Sequence, residues 1–150
     1  MMLLTLVLGG LAVILFNSWR TQENIVSETD ATNRGQLVSS LIERAVRNGV
    51  AVDVPDGNTL RVHTSLVGEQ ECQGFSFTGG IASMTMRSGA LGTVWPAWQD
   101  GITAISGQPI LEQDGGTVTY AFEIATTGAP VRFIGTVAPR NPTGVSSPCW

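Results

Sequence analysis

The chain reads as an α+β protein, a long N-terminal α-helix packed on an antiparallel β-sheet of hairpins. Three observations predict this class. Residues 1 to 16, "MMLLTLVLGGLAVILF", carry no charge. Apolar residues then return at helical spacing in "LVSSLIERAVRNG", and from Gly49 onward the period switches to two. One helix followed by a run of strands is the α+β arrangement, and 150 residues suffice for one modest core.

The opening segment is too short, at 16 residues, to match the ~20 apolar residues that span a bilayer as a helix. Gly9 and Gly10 each cost about 1 kcal/mol of helix propensity relative to Ala, a cost offset where small residues let helices pack closely in lipid. No Lys or Arg precedes the run and no small-residue cleavage site ends it, which argues against a cleaved secretory signal. Trp19 and Arg20 follow as an interfacial anchor would. The next stretch, "TQENIVSETDATNRGQ", is polar, with Glu23, Glu28 and Asp30 as a solvated face. Leu37, Val38, Leu41, Ile42, Ala45 and Val46 then form an amphipathic face, which is expected to lie against the sheet. Arg44 and Arg47 suit the negative end of the helix, and Asn48-Gly49 is a stop. The expectation is a single helix from near Met1 to Asn48. Residues 1–20 would form a membrane or filament-core segment. Residues 21–150 would form an extracytoplasmic globular domain, in which the helix continues to about 48 and the sheet follows.

Three hairpins are predicted after it. "VAVDV" and "TLRVHT" flank the turn signal "PDGN", with Leu60 and Val62 inward and Arg61 and His63 outward. "ECQGFSF" and "IASMTMR" flank "TGG". "GTVTYAFEIAT" and "APVRFIGTVAP" flank a Gly-containing turn, with Val118, Tyr120, Phe122 and Ile124 on one face. Between the second and third hairpins, residues 88–116 read as loop with a short apolar segment at Ile102 to Ile105. The ending "RNPTGVSSPCW" reads as an extended tail that needs tying down.

Composition narrows the function. The net charge of −4 is scattered, and no basic footprint for nucleic acid exists. All eight cations are Arg, as codon bias in a GC-rich genome would produce, and the lack of Lys excludes Schiff-base chemistry and side-chain isopeptide links. Cys72 and Cys149 fit no zinc or redox spacing, and a single His cannot complete a metal site. In an exported domain they would form one long-range disulfide, and in a cytosolic one two buried thiols. His63 has no identifiable nucleophile or carboxylate partner and reads as a surface His rather than a catalytic one. "VDVPDGN" and "EQDGG" do not follow the alternating calcium-loop pattern, and turns explain both. Trp95 and Trp98 in "VWPAWQDG" either cap the core or offer a stacking surface to a sugar or partner. No catalytic residue, cofactor site or metal site is therefore expected.

Helix, three hairpins and a fastened tail together resemble the layout of type IV pilin-like proteins. The details are similar to minor pseudopilins of the type II secretion J class and to actinobacterial minor pilins. The resemblance is carried by "WRTQENIVSETDATNRGQLVSSLIERAVRNG" leading into "VDVPDGNTLRVHT", and later by "WQDGITAI", "VTYAFEI" and "APVRFIGTVAPR". It implies a non-catalytic, methylated minor pilin or pseudopilin of a pilus, type II secretion or competence-type filament. Its partners would be other pilin subunits, the membrane and the pilus assembly machinery. Leu3, Leu4, Leu6, Val7, Leu11, Val13, Ile14 and Leu15 would be the assembly residues. The implied location is the cytoplasmic membrane, as a single-pass protein with its domain outside, or the cell surface in a pilus. The family's Lys/Arg leader, its Gly before the cleavage point and its Glu near the mature start are missing. "Thr5-Leu6-Val7-Leu8" resembles that start with Leu8 in the place of Glu, but leaves too few residues before "WRTQ". Met1 is accordingly expected to lie inside the mature helix. The alternative is a membrane-anchored extracytoplasmic binding module that works through Trp95 and Trp98.

Overall fold

The computed structural model describes residues 2–64, 71–141 and 147–150, without the side chains of residues 2–8 and Arg20. Helix α1 runs unbroken over Met2–Arg47, about 69 Å at 1.5 Å per residue. Globular helices average about three turns, so most of this one is not explained by packing on its own domain. Burial begins at Ala31 and follows Gly35, Val38, Ile42, Ala45 and Val46, the alternating four-and-three spacing of a single helical stripe. Leu37 departs from expectation. It lies one position off that stripe and is 44% exposed. Leu41 is half-buried at the flank. The helix ends where Asn48 turns back, its amide nitrogen and its Nδ2 both donating to the Arg44 carbonyl at 3.2 and 2.7 Å.

Strands β1 (Gly49–Asp53), β2 (Thr59–Thr64), β3 (Glu71–Thr78), β4 (Ile81–Arg87) and β5 (Ala97–Asp100) form one antiparallel sheet in chain order. Both predicted turns of this sheet have a physical cause. In the first, Asp56 Oδ1 accepts from the amides of Asn58 and Thr59, and Gly57 takes φ +73°. In the second, Gly79 and Gly80 both have positive φ and close a two-residue loop between paired Thr78 and Ile81.

A second sheet centres on β8 (Thr117–Ile124), which pairs along one edge with β9 (Val131–Val137). Its other edge is shared by β6 (Ile102–Ala104) and β7 (Leu111–Asp114). There are thus two sheets where one was expected, and residues 88–116 hold three short strands where a loop was expected. "AWQD" and "LEQD" have no apolar alternation of their own. They are strands because β4 and β8 offer them edges.

The sheets meet at side chains as well as backbone. The Gln113 amide accepts from Val54 N at 2.9 Å and donates to Val52 O at 3.2 Å, and the Gly57 carbonyl accepts from Leu111 N at 2.8 Å. The helical stripe closes on Leu60, Val62, Phe75 and Phe77 from the first sheet and on Val118, Phe122 and Ile124 from the second. Phe122 joins the two halves, with ring centroids 6.5 Å from Phe77 and 5.2 Å from Phe133.

Candidate functional site

Beyond the apolar stripe, specific contacts along α1 help hold it to the domain and set the direction in which it leaves. Tyr120 donates its hydroxyl to Glu43 Oε1 at 2.7 Å, and Arg47 holds the other Glu43 oxygen at 3.0 Å. Burial, and then the bond to Glu43, push the Tyr120 pKa above its ordinary value. Arg34 pairs with Asp100 and donates through Nε to Gln99 Oε1 at 3.2 Å. Gly35 admits the ring of Phe133 where a Cβ would stand only 2.0 Å from it. The last contact is at the β8–β9 turn, where Thr127 N donates to Ser27 Oγ at 3.1 Å and Thr127 Oγ1 donates to Asn24 Oδ1 at 2.9 Å.

N-terminal to Asn24 the helix projects from the domain. Leu11, Val13, Ile14, Leu15 and Phe16 are exposed by 51 to 68%, and Trp19 by 75%. They point in successive directions around the axis, so the rod is apolar on every side. Leu3, Leu4, Leu6 and Val7 fall among the residues whose side chains are outside the description. Among the described residues, no helix is long and apolar enough to cross a membrane. Glu23, Glu28 and Asp30 are exposed on the polar stretch, with Asp30 3.6 Å from Arg34.

The second feature is the outer face of the first sheet, opposite the core. Register places Arg61 beside Gly74 and His63 beside Cys72. Cys72 is bonded to Cys149, 77 positions away, with the Cα atoms 5.5 Å apart. The Cys149 carbonyl accepts from Leu91 N at 3.0 Å, and the Trp150 ring centroid lies 5.4 Å from Arg61 Cζ. The tail therefore covers this end of the face. His63 lies on the outer side, as expected, but is 3% exposed rather than a surface residue. Neither imidazole nitrogen has a hydrogen-bond partner among the described residues. A reading of one strand cannot register a cover that arrives from the opposite end of the chain.

Trp95 and Trp98 lie in different environments. Trp98 packs against the hydrophobic core. Trp95 lies across the outer face, its benzo edge seated where Gly74 lacks a side chain and its Nε1 donating to the Gly92 carbonyl. Beside it opens a cleft of about 370 Å³ lined by Thr59, Ser76, Ser83, Thr93, Val94 and Trp95. Its hydroxyl residues escape a sequence reading, because only strand register brings Thr59, Ser76 and Ser83 into one row. No grouping of three or more His, Cys, Asp or Glu side chains among the described residues could hold a metal.

No protein-family model, curated protein or solved structure matches the chain.

Proposed function

We propose that this chain is a non-catalytic minor pilin or pseudopilin subunit of a type IV pilin-like filament, whether pilus, type II secretion or competence system. In this reading it assembles through the N-terminal part of α1. One observation carries it: a continuous helix whose C-terminal half, from Asn24, is held to the domain while the part before it projects, with Leu11, Val13, Ile14, Leu15, Phe16 and Trp19 exposed around its axis. Burying a Leu, Ile or Phe side chain is worth about 1.5–3 kcal/mol, so the rod between Leu11 and Trp19 calls for an apolar surrounding. Equivalent helices of neighbouring subunits provide one, and the Gly9-Gly10 pair lets them approach closely. Before assembly the same rod lodges in the cytoplasmic membrane with the domain outside. The long-range disulfide agrees with that side of the membrane.

The test is Leu11→Arg in the full chain. Leu11 touches nothing in the domain core, so disulfide formation and melting temperature stay as in the parent. A charge in mid-segment costs a few kcal/mol of insertion, and the variant leaves the membrane fraction and no longer co-purifies with pilin-like subunits. Retention of both properties overturns the proposal. A second reading, a membrane-anchored binding module with α1 as its tether, is favoured by the cleft beside Trp95.

A further inference from the structure

We propose that the cleft on the outer face of the first sheet binds a neutral saccharide. The inference builds on the binding-module reading, yet it holds equally if α1 serves a filament, because the cleft lies on the domain and not on the projecting helix.

The floor is a row of hydroxyls. Thr59 on β2, Ser76 on β3 and Ser83 on β4 stand directly opposite one another in register. Hydroxyl groups both donate and accept, which matches the hydroxyls of a sugar better than it matches a carboxylate, a phosphate or an amine. Thr59 Oγ1 already donates to Asp56 Oδ2 at 3.0 Å, so its lone pairs remain to accept from a ligand.

One wall is Trp95. Its ring is held at two points, by the fit over Gly74 and by the Nε1 bond to the Gly92 carbonyl, so its position is set before any ligand arrives. An indole wall beside a hydroxyl floor suits a molecule with one C–H face and a hydroxyl rim, which is the amphipathic character of a pyranose ring. Thr93 and Val94 form the lip, and Val94 is 82% exposed.

Charge excludes the alternatives. No ionisable side chain lines the cleft. The Asp56 carboxylate, bonded to the Thr59 hydroxyl, also accepts from the amides of Asn58 and Thr59, and Arg61 on the same face pairs with Asp53. An anionic ligand would lose hydration and meet no cation in the lining, and a cationic one would meet only a carboxylate whose oxygens already accept three hydrogen bonds. At about 370 Å³ the cleft sits at the small end of ligand sites, which run from ~300 to ~1,000 Å³. A short saccharide fits. Hydroxyl-to-hydroxyl bonds replace equally good bonds to water, so a single site binds weakly, with Kd on the order of millimolar.

The experiment is saturation-transfer NMR on the full chain, held in a zwitterionic detergent free of sugar. The probes are maltotriose, cellotriose, chitotriose and mannotriose, with trigalacturonate as the charged control. The expected result is transfer to at least one neutral trisaccharide and none to trigalacturonate. Trp95→Ala should weaken that binding about tenfold or more, and Ser83→Ala about threefold. Ser83→Ala keeps the test decisive if Trp95→Ala does not fold. Absence of transfer to all four neutral probes overturns the proposal, as does equal binding of trigalacturonate or unchanged binding by folded Trp95→Ala or by Ser83→Ala. None of these outcomes bears on co-purification of Leu11→Arg, so the two proposals fail separately.

Discussion

Gly35→Ala should destabilise this protein, although the same change in an ordinary helix interior stabilises by about 1 kcal/mol. The reason lies across the interface. A Cβ at position 35 would stand 2.0 Å from Phe133 Cε2 and 2.1 Å from its Cζ. The ring has little freedom to yield, because it is stacked on Phe122, which is itself fully buried. Either Phe133 leaves the stack, losing about 0.5–1.5 kcal/mol of ring pairing along with part of its burial, or the helix lifts and loosens the stripe from Ala31 to Val46. Overpacking of this kind costs typically 1–3 kcal/mol, which together with the lost ring pairing outweighs the propensity gain of about 1 kcal/mol. The net loss should be about 1–3 kcal/mol, which lowers the melting temperature by roughly 3–12 °C for a domain of this size. Thermal and urea unfolding of the full chain, followed by circular dichroism with the disulfide intact, measure it. Gly10→Ala is the control, since nothing stands within 4 Å of its added methyl group, and it should leave the domain's unfolding unchanged. Gly35→Ala with Phe133→Leu should recover a large part of the loss, as a double-mutant cycle would record. A Gly35→Ala protein as stable as the parent, or more stable, would refute the close approach and with it the seat of the helix.

Other perturbations test the remaining contacts. Cys149→Ser releases a 77-position loop and the tail over the outer face, and should cost about 4–5 kcal/mol on the chain-entropy model; a loss below about 1 kcal/mol in urea unfolding would contradict it. His63→Leu removes no hydrogen bond found among the described residues. It should leave stability unchanged or raise it by up to about 2 kcal/mol, and a clear loss would mean that the imidazole is satisfied after all. Tyr120→Phe should cost about 1–3 kcal/mol through the lost bond to Glu43. The Tyr120 pKa is raised on folding, so its contribution is present in full below its unfolded value of about 10 and fades as pH rises through the folded value. Stability measured from pH 8 to 11 should therefore fall more steeply in the parent than in Tyr120→Phe, and parallel curves would refute the assignment.

How much was legible in the sequence varies by element. The hairpin turns were local: Asp56 and Gly57 in the first, Gly79 and Gly80 in the second, carry their geometry in their own side chains or lack of them. The helix was local too, because its period, its polar middle and its Asn48 stop lie within one stretch. Val118, Tyr120, Phe122 and Ile124 share a buried face as their alternation required. The short strands β5, β6 and β7 were not legible. Three or four residues cannot establish a period, and their pairing belongs to β4 and β8.

The same division holds for the candidate sites. That an apolar helix precedes a disulfide-capable β domain is written in the order of residue types, since hydrophobicity and helical spacing are properties of a segment by itself. Which part of that helix stays outside the domain depends on Gly35, Glu43 and Ser27 meeting Phe133, Tyr120 and Thr127 from about 77 to 100 positions away. The cleft needed strand register to align Thr59, Ser76 and Ser83, and it needed Gly74 to receive Trp95. His63 is buried on a face where the residue opposite it, Cys72, is bonded to the chain's last residues. Segments specify their own conformation through interactions within a few residues. Clefts, covered faces and seams arise where distant segments meet, and only the folded chain brings those together.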